Sequence, residues 1–300
     1  MDHRTPLRGI YVPLVTPFAA DGTIAAGALE ELAHGALDQG AAGLAALGTT
    51  AEEAALDAAE RRTVLRVTAA VCRERGATLL VGAGGSDTRR AGEALLALGE
   101  QAPEAAAAMV TVPAFSRPGE AGVVAHFRYL AGLSPVPLVI YHIPYRTGQP
   151  LGAAALLELA AVPGIAGVKY ATGGIDQDTV ELLGAAPGGF AVLAGDDAFL
   201  SPMLALGAAG GILASAHLAT ARFAELAGAW LAGDVERARP LGHALAGLAG
   251  AAFAAPNPTV IKGVLHAQGR IPTPDVRLPL LPAEPARVAA ALARAAALAD

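Results

Sequence analysis

Eight short apolar runs alternate with longer stretches of helical spacing between Tyr11 and Ala214, and this alternation constrains the fold more than any other feature. Each run is followed by a turn signal and then by an Ala- and Leu-rich stretch. Runs that are apolar throughout suit strands buried on both faces, and the intervening helices provide the crossovers that parallel pairing requires. The predicted strands are Tyr11–Val15, Gly43–Leu47, Thr78–Gly82, Ala107–Val112, Pro137–Tyr141, Ile165–Lys169, Phe190–Ala194 and Gly210–Ala214.

This order of elements predicts an α/β fold, a (β/α)8 TIM barrel over residues 1–222 with a C-terminal helical extension over residues 223–300. A doubly wound open sheet is the alternative. However, Val15-Thr16-Pro17-Phe18 occupies the place of the Gly-x-Gly-x-x-Gly turn that is typical of that fold. Strand signals stop near residue 220, and helical spacing continues over Asp234–Ala254, Pro258–Gln268 and Pro285–Leu298.

Composition and charge exclude several classes of protein. With 54% hydrophobic and 16% charged residues, the chain has enough apolar material for a core and is not disordered. The net charge is −6 and no run of Lys and Arg interleaves with aromatic residues, so we expect no nucleic-acid partner. Residues 241–255 are apolar but contain His243 and are shorter than the roughly 18 residues of a membrane span, so we expect a buried helix and no membrane contact.

The N-terminal segment, the cysteine content and the histidine spacing indicate the compartment and the absence of a metal. Residues 1–8 carry charges and a proline without an apolar segment, so we expect no secretory leader and a cytoplasmic location. Cys72 is the only cysteine and lies in the helical stretch Arg61–Arg75, so we expect it to be structural, with no disulfide and no cysteine-rich zinc site. The seven histidines lack metal-ligand spacing, so we expect no metal.

Polar side chains stand where the predicted strands end. Catalytic residues of such barrels come from the C-terminal ends of the strands, so we expect these side chains to face one mouth. They are Thr49 and Thr50 after the second strand, Tyr141 and Arg146 at and after the fifth, Lys169 at the sixth, and Gly195-Asp196-Asp197 after the seventh. We expect the two aspartates to start a helix, because an Asp side chain there accepts hydrogen bonds from free N–H groups.

Lys169 carries the chemistry in this prediction. A lysine that follows Ile165-Ala166-Gly167-Val168 is partly desolvated, which favours the neutral amine that attacks a ketone to form a Schiff base. Tyr141 can transfer the proton that imine formation requires, Thr49 can extend the relay, and Thr50 with the turn's N–H groups can hold a carboxylate beside the ketone. The alternative for Lys169 is a solvated surface charge, which is the usual role of a lysine. The alternative for Tyr141 is a structural role in the core.

Several segments with these residues occur in a fixed order along nearly the whole chain. The segments are Thr16-Pro17-Phe18, Gly48-Thr49-Thr50-Ala51-Glu52, Tyr141-His142-Ile143-Pro144-Tyr145-Arg146-Thr147-Gly148, Gly167-Val168-Lys169-Tyr170-Ala171-Thr172, Gly195-Asp196-Asp197, Gly210-Gly211-Ile212, Asn257-Pro258 with Lys262, and Arg277-Leu278-Pro279-Leu280. The series resembles the dihydrodipicolinate synthase and N-acetylneuraminate lyase family, which are class I, Schiff-base pyruvate aldolases. It is most similar to the dihydrodipicolinate synthase branch.

The resemblance implies the catalytic roles. Lys169 would form the imine with pyruvate, Tyr141 would be its proton-transfer partner, and Thr49 would act as a relay. No cofactor is implied beyond this covalent pyruvate imine on Lys169. The resemblance also implies a homotetramer built as a dimer of dimers.

The resemblance implies binding roles for four further residues. Thr50 would bind the carboxylate of pyruvate, Gly195 would border the pocket, and Ile212 would offer its carbonyl to the site. Arg146 matches the arginine that holds the carboxylate of the second substrate in the synthases and that sialic-acid lyases lack. Lys262 lies in the predicted helical extension, and we expect it to be structural or a surface charge.

The chain departs from the family between the fourth strand and the next helix. The synthases carry paired tyrosines where this chain reads Pro113-Ala114-Phe115-Ser116-Arg117-Pro118. The second of those tyrosines reaches a neighbouring subunit's site and completes the proton relay. Phe115 keeps the aromatic ring but has no hydroxyl that could transfer a proton. Water or another group would then deliver the proton, and Tyr145 is either that substitute or an aromatic lining of the mouth.

Three functions remain open at this stage. The first is a pyruvate-dependent synthase or lyase that condenses pyruvate with aspartate semialdehyde in the lysine and diaminopimelate route. The second is an aldolase that cleaves a 2-keto-3-deoxy sugar acid to pyruvate and an aldehyde, which Phe115 and Ala114 favour. The third is a non-catalytic protein that binds keto acids.

Overall fold

The computed structural model describes residues 7–298, and its eight parallel strands close into a barrel in the order β1 to β8. The strands are β1 (Gly9–Pro13), β2 (Gly43–Ala46), β3 (Thr78–Gly82), β4 (Ala107–Thr111), β5 (Leu138–His142), β6 (Ile165–Tyr170), β7 (Ala191–Ala194) and β8 (Gly210–Ile212). All eight predicted strands are confirmed, with ends that differ by at most two residues, as at Gly9 and Ile212. Residues 1–6, where no leader is expected, and residues 299 and 300 lie outside the described residues.

Helices follow the strands and continue after the last one. They are α1 (Ala26–Asp38), α2 (Ala58–Arg75), α3 (Thr88–Gln101), α4 (Gly119–Leu133), α5 (Pro144–Thr147), α6 (Ala153–Ala160), α7 (Gln177–Ala185), α8 (Leu200–Ala205), α9 (Ala216–Ala232), α10 (Val235–Ala252), α11 (Thr259–Ala267) and α12 (Pro285–Ala296). The three predicted C-terminal helices are confirmed as α10, α11 and α12. The predicted domain boundary after residue 222 falls within α9 and stays a prediction.

The described chain forms two compact units. Within the described residues, one contains residues 7–9 and Leu80–Gly211, and the other contains Ile10–Leu79 and residues 212–298. In the first unit, β4 to β8 pair in parallel register, with the side chains of β5 buried throughout. The second unit contains β1, β2 and the C-terminal helices. Each unit therefore holds part of the predicted site residues, and each part is described within its own unit.

Local sequence signals explain why the helices begin and end where they do. Asp57 accepts hydrogen bonds from the N–H groups of Ala59 and Glu60, and Glu60 accepts from the N–H of Asp57, so a capping box starts α2. Gly76 ends α2 in the left-handed conformation. Cys72 is buried in this helix, as predicted.

The apolar stretch over residues 241–255 lies in α10 and the turn that follows. One face of α10 is buried, including Gly242, Leu245 and Leu248, and the helix interior contains Pro240. Across residues 7–298, every helix falls short of the length and apolarity that crossing a bilayer would require.

Two buried histidines are held neutral by the fold. His217 Nε2 accepts a hydrogen bond from the Val15 N–H at 3.2 Å, so its proton is on Nδ1, which lies 2.9 Å from the Ala214 carbonyl. Burial lowers the pKa of His217 to about 4. Burial also lowers the pKa of His142 to about 4, against the opposing charges of Asp176 and Asp178.

These two histidines predict a loss of stability in mild acid. The unfolded chain binds protons at His142 and His217 below about pH 6.5 and the folded chain does not until about pH 4. Their contribution to stability is therefore complete above pH 6.5 and decreases as the pH is lowered below that value. We expect each to remove about 2 kcal/mol of unfolding free energy between about pH 6.5 and pH 5. Urea denaturation across this range measures the loss, and His142→Asn should flatten the dependence. An unchanged pH dependence in that variant would contradict the assignment.

Candidate active site

Lys169 and Tyr141 are opposite each other on neighbouring strands. Tyr141 on β5 is in register with Lys169 on β6, and both residues are buried, with 9% and 7% exposure. Lys169 Nζ lies 4.2 Å from the centroid of the Tyr141 ring. An ammonium over a phenol ring is attracted by the ring's electron density, so this contact orients the amine. The structure therefore brings the predicted nucleophile and its predicted proton-transfer partner into contact.

Gly195 follows β7 and lies against the Lys169 side chain. Its N–H donates to the Tyr170 carbonyl at 2.8 Å, which holds the loop beside β6. A Cβ at position 195 would lie 3.0 Å from Lys169 Cγ, 3.2 Å from Cε and 2.9 Å from Ala171 Cβ. Any larger residue would press on the lysine stem. Glycine at this position thus leaves the space that the Lys169 side chain occupies.

Tyr145 and Asp196 form a hydrogen-bonded pair in the same unit. The Tyr145 hydroxyl donates to Asp196 Oδ1 at 3.0 Å, and the Gly173 N–H donates to Asp196 Oδ2 at 2.6 Å. Asp196 occupies the N-cap position of the short turn Asp197–Phe199, as predicted, but its side chain makes no cap hydrogen bond to that turn. The Gly173 N–H and the Tyr145 hydroxyl instead occupy the two carboxylate oxygens of Asp196. Asp196 therefore links the loop after β6 to α5.

The environment of Tyr145 makes its hydroxyl a weaker acid than that of an ordinary tyrosine. Burial raises the pKa of the Tyr145 hydroxyl, and the charge of Asp196 and the hydrogen bond to it raise the pKa further. A phenol that already donates to a carboxylate holds its proton. This arrangement favours a structural role for Tyr145 over a role in the proton relay.

Arg146 and Phe115 are both exposed in this unit. Arg146 follows Tyr145 in α5. Phe115 is 98% exposed, and its φ of +72° lies in the left-handed region, which is rare for an aromatic residue. Its N–H donates to the Thr147 carbonyl at 3.0 Å, which fixes the loop beside α5. The loop thus displays an aromatic ring outward without a hydroxyl.

The second unit contains the turn with Thr49 and Thr50. This is a single 3₁₀ turn, Thr49–Ala51, in which Thr49 is exposed and Thr50 is buried. The Asn257 amide donates to Thr50 Oγ1 at 2.9 Å, and the Thr16 hydroxyl donates to the Ala51 carbonyl at 2.7 Å. The two bonds tie this turn to the loop after β1 and to the start of α11.

The residue after this turn forms a buried ion pair. Lys262 Nζ lies 2.8 Å from Glu52 Oε1, and the two side chains are 0% and 1% exposed. Lys262 Nζ also lies 4.1 Å from the centroid of the Phe18 ring. The expectation of a structural role for Lys262 agrees with this burial, and the alternative of a surface charge is wrong. Glu52 supplies the counter-charge that makes burial of the ammonium possible.

Sequence reasoning missed the partners of the turn. Asn257, Glu52 and Lys262 stood in matching segments but received no role at the site. One signal was available, because Lys169 and Lys262 are the only lysines in the chain and a lone lysine in an apolar helix needs a partner. Ile212 is the last residue of β8 and is buried. The predicted roles of Thr49, Thr50 and Ile212 stay predictions.

Comparisons with known proteins agree on one family. The profile of the Dihydrodipicolinate synthetase family matches residues 6–295. The 4-hydroxy-tetrahydrodipicolinate synthase of Neisseria gonorrhoeae is 35% identical over 278 residues, which cover 92% of this chain and 93% of that protein. The enzyme of the same name from Moorella thermoacetica is 36% identical over 286 residues, covering 94% and 96% of the two chains.

A solved structure agrees with these relatives. The chloride-inhibited dihydrodipicolinate synthase from Acinetobacter baumannii, complexed with pyruvate, superposes with a TM-score of 0.90 and 32% identity. The superposition covers 96% of this chain and 99% of that one. The fold is thus shared over the full barrel and the helices that follow it.

Proposed function

Because the chain belongs to the dihydrodipicolinate synthetase family, we propose that it condenses pyruvate with aspartate semialdehyde to 4-hydroxy-tetrahydrodipicolinate through a Schiff base. The single observation that carries this proposal is the contact between Lys169 Nζ and the Tyr141 ring on neighbouring buried strands. A buried lysine amine beside a phenol is the pair that imine formation requires.

The proposed reaction begins at Lys169 Nζ. The amine adds to the keto carbon of pyruvate, and the resulting hydroxyl leaves as water after it receives a proton that Tyr141 transfers. The positively charged imine draws electrons from the methyl carbon, which loses a proton and becomes the enamine nucleophile. The enamine carbon attacks the aldehyde carbon of aspartate semialdehyde and forms the new carbon–carbon bond. The amine of that substrate then attacks the imine carbon and displaces Lys169, so the whole reaction releases one water.

The remaining residues take binding and relay roles in this proposal. Thr49 extends the proton relay from Tyr141, and Thr50 binds the carboxylate of pyruvate. Ile212 offers its carbonyl to the site. Gly195 borders the pocket, which its close approach to the Lys169 stem supports. The reaction needs no dissociable cofactor and no metal, because the imine is the electrophile.

We propose that Arg146 binds the carboxylate of aspartate semialdehyde, which its exposure in α5 supports. Arg146→Ala should raise the KM for aspartate semialdehyde by about 10- to 100-fold, the value of a charge-assisted hydrogen bond, and leave the KM for pyruvate within about twofold. Steady-state kinetics with each substrate varied in turn measures both. Arg128→Ala removes an exposed arginine that pairs with Glu158 and is the matched control. Equal changes in both KM values would contradict this role.

A sugar-acid aldolase is the second candidate, and the exposed Phe115 without a hydroxyl favours it. Both reactions share the imine on Lys169 and differ in the partner of pyruvate. Turnover should be compared between pyruvate with aspartate semialdehyde and a panel of 2-keto-3-deoxy sugar acids. We expect the synthase reaction to dominate kcat/KM by at least about 100-fold. Faster cleavage of a keto-deoxy acid would replace the synthase proposal with the aldolase.

We further propose a cytoplasmic location and a homotetramer built as a dimer of dimers, in keeping with the family resemblance. Sedimentation velocity at micromolar concentration tests the assembly. A single species of tetramer mass is the expected result.

A further inference from the structure

The buried pair Glu52–Lys262 is costly, and stability alone gives no reason for it. Both side chains are removed from water, with 0% and 1% exposure at 2.8 Å. Taking two charges out of water costs several kcal/mol per ion, and apolar residues of similar volume often stabilise as well or better. Burial lowers the pKa of Lys262, while Glu52 opposes that shift. The pair must therefore be explained by what it holds in place.

The pair holds the end of the Thr49–Ala51 turn. Glu52 directly follows the turn, and its N–H donates to the Thr49 carbonyl at 3.1 Å. Its φ of +56° and ψ of 34° are left-handed, a conformation that a residue with a side chain adopts only at a cost. Both carboxylate oxygens are fixed, Oε1 by Lys262 Nζ and Oε2 by the Arg277 N–H at 2.7 Å. The side chain thus fixes the backbone at the residue that follows the turn.

The start of α11 fixes the same turn at a second point. Asn257 stands just before α11 and donates to Thr50 Oγ1 at 2.9 Å, and Lys262 is within the helix. Because a helix is rigid over this distance, Thr50 and Glu52 are held at a fixed spacing. The Asn257 amide also occupies a lone pair of the Thr50 hydroxyl, which leaves the hydroxyl proton free to donate elsewhere.

Aromatic and charged neighbours fix the position of the Lys262 ammonium. The Phe18 ring lies under it at 4.1 Å, and the Arg277 guanidinium lies 4.5 Å from the same ring. Arg277 also pairs with Glu60 at the edge of the cluster. The carboxylate of Glu52 is therefore held from one side by a fixed charge and from the other by a fixed N–H.

We propose that Lys262 is a positioning residue, whose ion pair with Glu52 sets the Thr49–Thr50 turn in the geometry that binds the carboxylate of pyruvate. This inference rests on the proposed function. Lys262 is fully buried against Glu52, so in this proposal it acts through Glu52 and not by contact with substrate. It predicts that neutralising the pair weakens the binding of a keto acid and leaves the reactivity of Lys169 toward a plain ketone intact.

The test compares two ketones by borohydride trapping. The full-length protein is incubated with increasing pyruvate or acetone, reduced, and the adduct is measured by intact mass. Acetone forms the same kind of imine but has no carboxylate for the turn to bind. The variants are Glu52→Gln, which keeps the hydrogen-bonding shape of the side chain, and the double variant Glu52→Gln with Lys262→Met, which leaves no unpaired buried charge. Arg237→Gln, which breaks the surface pair with Glu225, is the control.

We expect the pyruvate concentration for half-maximal trapping to rise by about tenfold in both variants, because a displaced turn loses a charge-assisted contact. The acetone concentration for half-maximal trapping should not change in either variant. Equal weakening for both ketones would mean a general loss of structure and would overturn the inference, as would unchanged trapping of pyruvate. Absence of any pyruvate adduct in the unmodified protein would instead overturn the proposed function, so the two failures are distinguishable.

Discussion

Replacement of Lys169 by Met should abolish trapping of pyruvate by borohydride and lower kcat by at least about 10⁴-fold, in line with the loss of a covalent nucleophile. Without the amine no imine forms, and no other group of the proposed site can serve as the electron sink. Met has a similar length, packs against the Tyr141 ring, and leaves no counter-charge unpaired, because no ion pair of Lys169 exists within residues 7–298. The fold should therefore survive the change.

The measurement is the mass of the intact protein and of its peptides after incubation with pyruvate and reduction. Lys169 and Lys262 are the only lysine amines in the chain, so a peptide map assigns the adduct without ambiguity. Circular dichroism of Lys169→Met controls for folding. An adduct that persists in this variant would exclude Lys169 as the imine former. If the unmodified protein turns over and the variant does not, the protein is not a mere keto-acid binder.

The two lysines show how environment decides function. Lys262 lies 2.8 Å from the Glu52 carboxylate with both side chains buried, so its amine is enclosed in an ion pair and out of reach of a substrate. Lys169 faces the ring of Tyr141, with Gly195 against its stem. Lys262 is thus committed to a carboxylate, whereas Lys169 has no ion pair among residues 7–298 and its amine faces an aromatic ring.

The barrel and the contact of Lys169 with Tyr141 were predictable from the sequence. Strands buried on both faces read as continuous apolar runs, and side chains at the ends of neighbouring parallel strands must meet. The Thr49–Thr50 turn was also predictable as a motif. Strand ends were predicted less accurately, as at β8, which stops at Ile212. Pairing at the ends of the strands depends on tertiary contacts that no local pattern encodes.

The supports of the turn were not predictable in the same way. Glu52 and Lys262 are separated by 210 positions, and a carboxylate and an ammonium carry no signal that pairs them over that distance. Asp196 follows a strand and precedes a short turn, so its local sequence favours a cap, but two donors from other loops take both of its oxygens. Long-range polar contacts of this kind are set by the folded backbone and are invisible to periodicity.

Replacement of Tyr141 by Phe should lower kcat by about 10²- to 10⁴-fold, the usual contribution of a positioned general acid or base. The ring remains under Lys169, so the packing and the position of the amine are kept, and only the proton-transferring hydroxyl is lost. The yield of pyruvate adduct at long times should therefore match that of the unmodified protein, while its rate of formation falls. Quenched-flow trapping separates the two quantities.

Tyr145→Phe is the matched control for this prediction, because it also removes one phenol hydroxyl from the same unit. That hydroxyl already donates to Asp196, and its raised pKa makes it a poor proton donor. We expect its kcat to change by less than about threefold, in keeping with a role outside proton transfer. If Tyr145→Phe slowed the reaction as much as Tyr141→Phe, the pair Tyr145–Asp196 would be the group that takes over the relay that Phe115 cannot supply. The two substitutions thus decide which phenol moves the proton in a chain that lacks the second tyrosine.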